Sequence, residues 1–436
     1  MIIKKVLLLD TTLHKKDATG ITLSNLFGSW PKESLFMIGS KEMIQLSNLE
    51  GYENTYILDD KDYYHRFPLG FFLRLLKSFS VKRNTTKSKA TNEIISKAKT
   101  TLGSKIKSYL RHGFKKLFLS LGLDHLFFRQ IISSELREWI KKSGPDYFYA
   151  VLSTRHSILF AEKVNIEFNK PLIIHIMDDW PATIGNNTIA PKYWNRKINT
   201  EFKRLLTLTE KKIAISQMMA EEYQIRFGGD WEYFHNPVVF SNWENFQKKH
   251  ISLPKNILKI GYFGRIGKAN EQSIKVFMDV VSSCQLAFPI EFHLYTNNIT
   301  SNHSLKNVFF HSFLDNSLMP AAISSFNFLL LPISFNYEDV IFAKHSIPTK
   351  LSEYLISGVP VIVLAPKNIA LSEFVSINNC GFCINTDNVS EIIHLLNEFI
   401  ADISIQNIYS NNGKIVALNE FEINVVGKRF NRIFEN

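Results

Sequence analysis

The chain has 436 residues with 51 Lys plus Arg against 40 Asp plus Glu, a formal net charge of +11, and 45% hydrophobic residues. That length predicts two or three domains, and the composition excludes global disorder. Three cysteines exclude a disulfide-built scaffold, and the absence of any run of 18 apolar residues excludes a spanning helix. The surplus charge is concentrated. Residues 66–130 carry 15 Lys/Arg and only Glu93 and Asp124, so this one segment supplies the whole excess.

In chain order, Val6–Leu9 reads as a buried strand, too short for a signal-peptide core. A polar loop to Thr19-Gly20 follows, then a helix with Ile21, Leu23, Leu26 and Phe27 on one face. Within 66–130, two Phe/Leu-rich stretches flank a Lys/Ser/Thr/Asn-rich connection over 80–100. Aromatic and leucine faces alternating with cations suit an anionic membrane surface better than nucleic acid, for which no recognised fold is present; a solvated basic helical insertion is the alternative. Asp146–Ser153 is a strand, 156–168 a helix, and Pro171–Met177 a strand. Asp178-Asp179-Trp180-Pro181 is a loop, Lys212–Ser216 a strand, and Gln217–Phe227 a helix closed by Gly228-Gly229.

His235-Asn236-Pro237 closes the first half, and residues 241–256 read as a linker. Alternation then restarts. Leu258–Phe263, Ile290–Tyr295, Val308–Phe310, Phe326–Pro332 and Val359–Ala365 are strands. Residues 271–284 and Lys350–Ser357 are helices, and Asn419–Phe434 is an amphipathic helix. Repeated β–α alternation predicts an α/β protein with two doubly wound Rossmann-like domains facing a cleft. The expected divisions are 1–240, a linker 241–256, a second domain 257–410, and a tail 411–436 returning to the first domain.

Two patterns carry chemistry. In Pro348-Thr349-Lys350-Leu-Ser-Glu353-Tyr354, Lys350 sits in a first helical turn, where cation and helix dipole together favour an anion. Glu353 shares its face, three residues on, and can accept two hydrogen bonds from a vicinal diol. Lys350 and Glu353 would read a phosphate and a sugar of one nucleotide; a simple i,i+3 surface ion pair is the alternative. In Gly261-Tyr-Phe-Gly264-Arg265-Ile-Gly267-Lys268, the glycines admit close backbone approach and the cations can neutralise a pyrophosphate.

Together these patterns resemble the GT-B retaining glycosyltransferases of the family 4 (group 1) type. Ile213-Ala-Ile-Ser216 and Asn236-Pro237-Val238 fit as well. The resemblance covers most of residues 140–436. It implies a donor site made of Gly264, Arg265, Lys268, Thr349, Lys350 and Glu353. Glu353 would hold the donor ribose, and Arg265 with Lys268 or Lys350 the diphosphate. Candidate catalytic groups are Asp178, Asp179, His156, Arg265 and Lys350. The Thr19-Gly20-Ile21-Thr22 loop, through Gly20 and Thr22, would face the acceptor. One departure stands out. The family pairs two acids as Glu-x7-Glu, and eight positions before Glu353 stands His345; Glu338 is the other residue that could substitute. Cys380-Gly-Phe-Cys383, with Cys284 the only other cysteine, reads as structural and not as a zinc site.

The resemblance implies transfer of a sugar, with retention, from a nucleotide-diphosphate sugar to a hydroxyl of a glycan or lipid-linked acceptor in cell-surface polysaccharide synthesis. The expected site is the cytoplasm or the inner membrane face, with no cofactor and no metal. The competing readings are a nucleotide-sugar epimerase of the same fold and a non-catalytic membrane-surface adaptor.

Overall fold

The structure, a computed structural model, describes residues 4–14, 17–46, 54–65, 120–122, 125, 128–186, 188–249, 251, 257–283, 286–296 and 305–435. Most of the basic segment 66–130, part of the 241–256 linker, and Cys284 lie outside the described residues.

Among the described residues, nine strands precede the crossing at His235-Asn236-Pro237: β1 (Val6–Leu9), β2 (Leu35–Ser40), β3 (Thr55–Leu58), β4 (Tyr63–His65), β5 (Phe128–Gln130), β6 (Tyr147–Val151), β7 (Leu172–Ile176), β8 (Lys211–Ala214) and β9 (Trp231–Tyr233). Six follow: β10 (Leu258–Phe263), β11 (Ile290–Tyr295), β12 (Val308–His311), β13 (Phe328–Pro332), β14 (Val361–Leu364) and β15 (Phe382–Ile384). They form a parallel seven-stranded sheet in the order β3-β2-β1-β6-β7-β8-β9 and a parallel six-stranded sheet in the order β12-β11-β10-β13-β14-β15. β4 and β5 pair antiparallel as a separate ribbon. Both main sheets wind outward in two directions from a central pair, so each has a switch point, at β1/β6 and at β10/β13. A crevice opens there at the carboxyl ends of the strands.

Local chemistry accounts for the elements. The central strands β1, β6, β7 and β13 are buried along their whole length, as parallel strands covered on both faces must be. Helices start where a side chain can accept an orphan amide. Ser133 caps Ser134–Ser143, Thr154 with Ser157 forms a capping box on Arg155–Phe168, and Ser216 caps Gln217–Phe227. The helix Lys350–Ser357 ends at Gly358, whose φ of 72° lies in the left-handed region. A Cβ there would also sit 2.9 Å from the Lys248 carbonyl oxygen.

The structure departs from the sequence-based expectation at several points, among them the predicted single helix Asn419–Phe434, which is broken at Glu422. Gly20 and Thr22 are not in a loop. They lie inside the helix Ala18–Leu26, which Asp17 starts early by accepting the Gly20 amide. The His14 ring packs against Gly20 so closely that a Cβ would meet Nδ1 at 2.3 Å. The 178–181 loop is shorter than expected, because Trp180–Thr183 is a short helix with proline in its first turn. The tail crosses back at 417–422, not at 411. The helix Ile403–Val416 packs on the second domain, with Ser410 bonding the Gly358 carbonyl. The helix Ile423–Arg432 adds Val426 and Phe430 to the core of the first domain, joined by Ile433 and Phe434.

The two crossings between domains run side by side. Val238 and Glu422 form a parallel bridge, with Val238 donating to Phe421 at 2.7 Å and Ile423 donating to Val238 at 3.0 Å. Among the described residues, no helix is long and apolar enough to cross a membrane.

Candidate functional site

A cleft of about 280 Å³ lies between the domains. Its second-domain wall comes from the switch point: Phe263 ends β10, Gly264 and Arg265 follow it, and Ile333 follows β13. The first domain contributes Ala18, Thr19 and Thr22 from the helix Ala18–Leu26, Met177 and Asp178 after β7, and Ile215 after β8. The run Ser346-Ile347-Pro348-Thr349-Lys350 leads into the helix Lys350–Ser357 and closes the cleft.

The loop after β10 is held by side chains. The Tyr262 hydroxyl donates to the Arg265 carbonyl at 2.6 Å, and Asn270 Nδ2 reaches Tyr262 Oη at 2.8 Å and the same carbonyl at 3.0 Å. The Gly267 amide donates to Asn270 Oδ1 at 2.9 Å. A Cβ on Gly264 would stand 2.7 Å from the Tyr262 hydroxyl, so this tied loop requires glycine there. The fully buried Tyr354 accepts the Phe263 amide at 2.8 Å and locks the helix Lys350–Ser357 against β10. Arg265 and Lys350, 85 residues apart in the chain, therefore line one cleft.

Lys350 Nζ lies 2.7 Å from Glu353 Oε2, with both side chains about three-quarters buried (23% and 22% exposed). Glu353 faces an adjoining cavity of about 450 Å³, shared with Asn25, Trp243, Asn316 and Ser317. The ion pair thus joins two compartments. Lys268 points elsewhere. Its side chain is 69% exposed, near Asp339 at 3.6 Å and Glu338 at 3.9 Å, and it lines a third cavity of about 620 Å³. Ala269 and Phe342 are common to that cavity and the cleft.

The two adjacent acids separate. Asp178 lines the cleft, and burial pushes its carboxyl up to about 6, against a hydrogen bond from Ser346. Asp179 turns away from the cleft into the protein. It is paired with Arg226 Nη2 at 2.5 Å, Tyr223 Oη at 3.0 Å and His345 Nδ1 at 2.9 Å. Burial raises its carboxyl, but the bonds from His345 and Arg226 outweigh this and leave it below the usual carboxylate range. Asp179, expected among the catalytic groups, is thus bonded to three side chains and is not among the cleft-lining residues. His156 lies in the first turn of Arg155–Phe168, half-buried, and is not among the cleft-lining residues. His345 is buried against Asp179, and the Glu338 side chain is 86% exposed beside Lys268; neither is among the cleft-lining residues.

Sequence reasoning passed over Asp10. It ends β1 at the first switch point with φ 52°, and burial pushes it up to about 6 against a hydrogen bond from Gln130. An acid directly after the central buried strand was the available signal. The thiol pair is structural in surroundings: burial pushes Cys380 up to about 12, and its Sγ contacts the Val375 carbonyl. Among the described residues, no group of three or more His, Cys, Asp or Glu is placed to hold a metal.

The Glucosyltransferase 3-like, C-terminal domain family matches residues 277–416, a stretch that contains Lys350 and Glu353 but begins after Arg265. No curated protein matches the chain. Several solved structures share its architecture from end to end. HepE of Anabaena in complex with UDP has a TM-score of 0.59 at 13% identity, covering 99% of each chain. Sucrose-phosphate synthase from Thermosynechococcus elongatus has 0.58 at 11%, covering 99% of this chain and 98% of that one. The lipopolysaccharide outer core galactosyltransferase WaaB, in its apo form, has 0.55 at 13%, covering 99% of each. At these identities the likeness establishes the fold. The chain is a two-domain α/β protein of GT-B architecture, and the larger part of its second domain is similar to the Glucosyltransferase 3-like C-terminal domain.

Proposed function

We propose that the protein is a glycosyltransferase that moves a sugar from a nucleotide-diphosphate sugar to a hydroxyl of a glycan or lipid-linked acceptor. One observation carries the reading. Arg265 and Lys350 come from separate elements and converge on one interdomain cleft, while Glu353, bonded to Lys350, faces the next compartment. A diphosphate fits the cationic cleft, and a ribose diol fits the carboxylate beside it. HepE was solved with UDP and with UDP-glucose, which favours a uridine nucleotide here.

In this reading, Arg265 and Lys350 stabilise the charge that develops on the departing diphosphate, in a site from which domain closure excludes water. Asp178 orients the acceptor hydroxyl. Transfer proceeds with retention, the leaving phosphate taking the acceptor's proton. The two fixed cations supply the positive charge, without a metal. The lysine- and phenylalanine-rich segment 66–130 holds the enzyme on the anionic inner face of a membrane, where a surface polysaccharide is built.

The test is a thermal-shift panel of UDP-, GDP-, ADP- and CMP-sugars, followed by hydrolysis of whichever donor stabilises. Stabilisation by one donor class, lost in Arg265→Ala, is expected. If no nucleotide sugar shifts the melting transition, the proposal fails. Sedimentation with anionic vesicles, with and without residues 80–100, tests the membrane contact separately.

A further inference from the structure

The connection Lys344–Thr349, between the helices Tyr337–Ala343 and Lys350–Ser357, belongs to the second domain, yet four hydrogen bonds tie it to the first domain or the crossing between them. His345 donates from Nδ1 to Asp179 Oδ2 at 2.9 Å, and its carbonyl accepts from the Ser216 hydroxyl. Ser346 donates to the Met177 carbonyl at 3.1 Å, and Asn236 Nδ2 donates to the Thr349 carbonyl at 3.2 Å. Met177, Asp179 and Ser216 are first-domain residues, and Asn236 sits at the crossing. The adjacent acids Asp178 and Asp179 therefore face the adjacent pair Ser346 and His345 across the domain boundary. This connection ends at Lys350, so whatever fastens it also sets the start of the cationic helix.

The charges are arranged asymmetrically. Asp179 is 2% exposed but keeps two partners in its own domain, Arg226 and Tyr223. Separation of the domains would leave its charge neutralised, and of this pair only His345 would lose its charged partner. A contact built this way can release without stranding a buried acid, which is the usual penalty for breaking a buried pair.

We propose that His345 and Asp179 are positioning residues: their hydrogen bond latches the two domains together and holds Lys350 in the cleft in the closed state. The latch occupies the chain position where the resembled family carries its first acid. It rests on the geometry of the interface and not on the identity of the substrate, although it serves the proposed donor site.

The experiment measures domain closure directly. Spin labels are placed on cysteines at the exposed positions Ile166 in the first domain and His394 in the second, in a Cys284→Ser, Cys383→Ser background with buried Cys380 retained. Distance distributions are recorded with and without uridine diphosphate for wild type, His345→Ala and His345→Gln. His345→Ala is expected to lower the closed-to-open ratio roughly tenfold, the loss of one hydrogen bond to a charged group. His345→Gln, which can still donate to Asp179, should return the ratio to within about threefold of wild type. Calorimetric affinity for uridine diphosphate should follow the closed fraction in the same order. Thermal melts identify a variant that is merely misfolded, and the glutamine variant then carries the comparison. An unchanged distribution in His345→Ala, or equal opening by alanine and glutamine, overturns the latch. Failure of the glycosyltransferase reading would instead appear as absent nucleotide binding with the distances still responding to His345.

Discussion

The Lys350–Glu353 pair gives a prediction in which one substitution moves two ligands in opposite directions. The groups are 2.7 Å apart, each about three-quarters buried, and they face different compartments. Partly solvated, the pair nets about 1 kcal/mol, which any phosphate bound to Lys350 must share or displace. Glu353→Gln releases that hold, so inorganic pyrophosphate should bind about fivefold tighter. Uridine diphosphate should bind about tenfold more weakly, because its diol loses a charged acceptor worth about 1.5–3 kcal/mol. The ratio of the two dissociation constants should therefore shift by about fiftyfold. Lys350→Met should weaken both ligands, by roughly ten- to a hundredfold, since each loses the same charge-assisted contact. Isothermal titration calorimetry of both ligands against wild type and the two variants is the assay. If Glu353→Gln weakens both ligands equally, Glu353 acts only by holding Lys350, and its assignment to the sugar is refuted. If neither variant changes either affinity, the cleft is not the nucleotide site.

Asp178 carries a pH signature. Its carboxyl titrates near 3.8 in the unfolded chain and at about 6 in the fold, so between these values the native state holds a proton that the unfolded state has released. Its contribution to stability is greatest below pH 4 and is lost as pH rises through 6. Wild type should therefore lose stability relative to Asp178→Asn between pH 4 and 7 in urea titrations; a constant difference would show that the carboxyl is not buried. Arg155 is 3% and Glu201 12% exposed, joined by two bonds of 2.5 and 2.6 Å. Glu201→Gln should cost about 3–5 kcal/mol by stranding the guanidinium, and the double variant Arg155→Met/Glu201→Leu distinctly less; urea midpoints decide, and the reverse order would contradict the argument. Phe430 is fully buried, edge-on to Phe27 at 5.0 Å and Phe234 at 5.4 Å. Phe430→Ala should cost about 3–5 kcal/mol and make residues 423–435 the first site of proteolysis. A tail cut no faster than in wild type would mean that the aromatic cluster does not anchor it.

Much of the framework is encoded in short windows. β1, β10 and β11 and the helices Gln217–Phe227 and Lys350–Ser357 have the boundaries expected from the residues alone. Each is an apolar run or an amphipathic turn bounded by Gly, Pro or a capping hydroxyl, and such signals act within a few residues. The helix Pro191–Leu206, with Trp194, Ile198, Phe202 and Leu205 buried at helical spacing, was not read from the sequence. The Gly264-Arg265 loop and the Lys350-x-x-Glu353 turn were also visible as local patterns, the first because strand-to-helix junctions in a doubly wound sheet collect at one edge, the second because Pro348 and Gly358 bound its helix.

The sequence by itself determined the two-sheet architecture, the cationic loop and the helix Lys350–Ser357. Tertiary structure alone decided which groups face the cleft. Asp178 and Asp179 are neighbours in the chain, yet one lines the cavity while the other is consumed by Arg226, Tyr223 and a histidine 166 residues away. Lys268, three residues from Arg265, turns to Glu338 and Asp339 and leaves Lys350 to complete the cation pair. The reason is physical. Secondary structure answers to forces between near neighbours, whereas a side chain's partner is set by where separately folded domains meet, and no local pattern records that meeting.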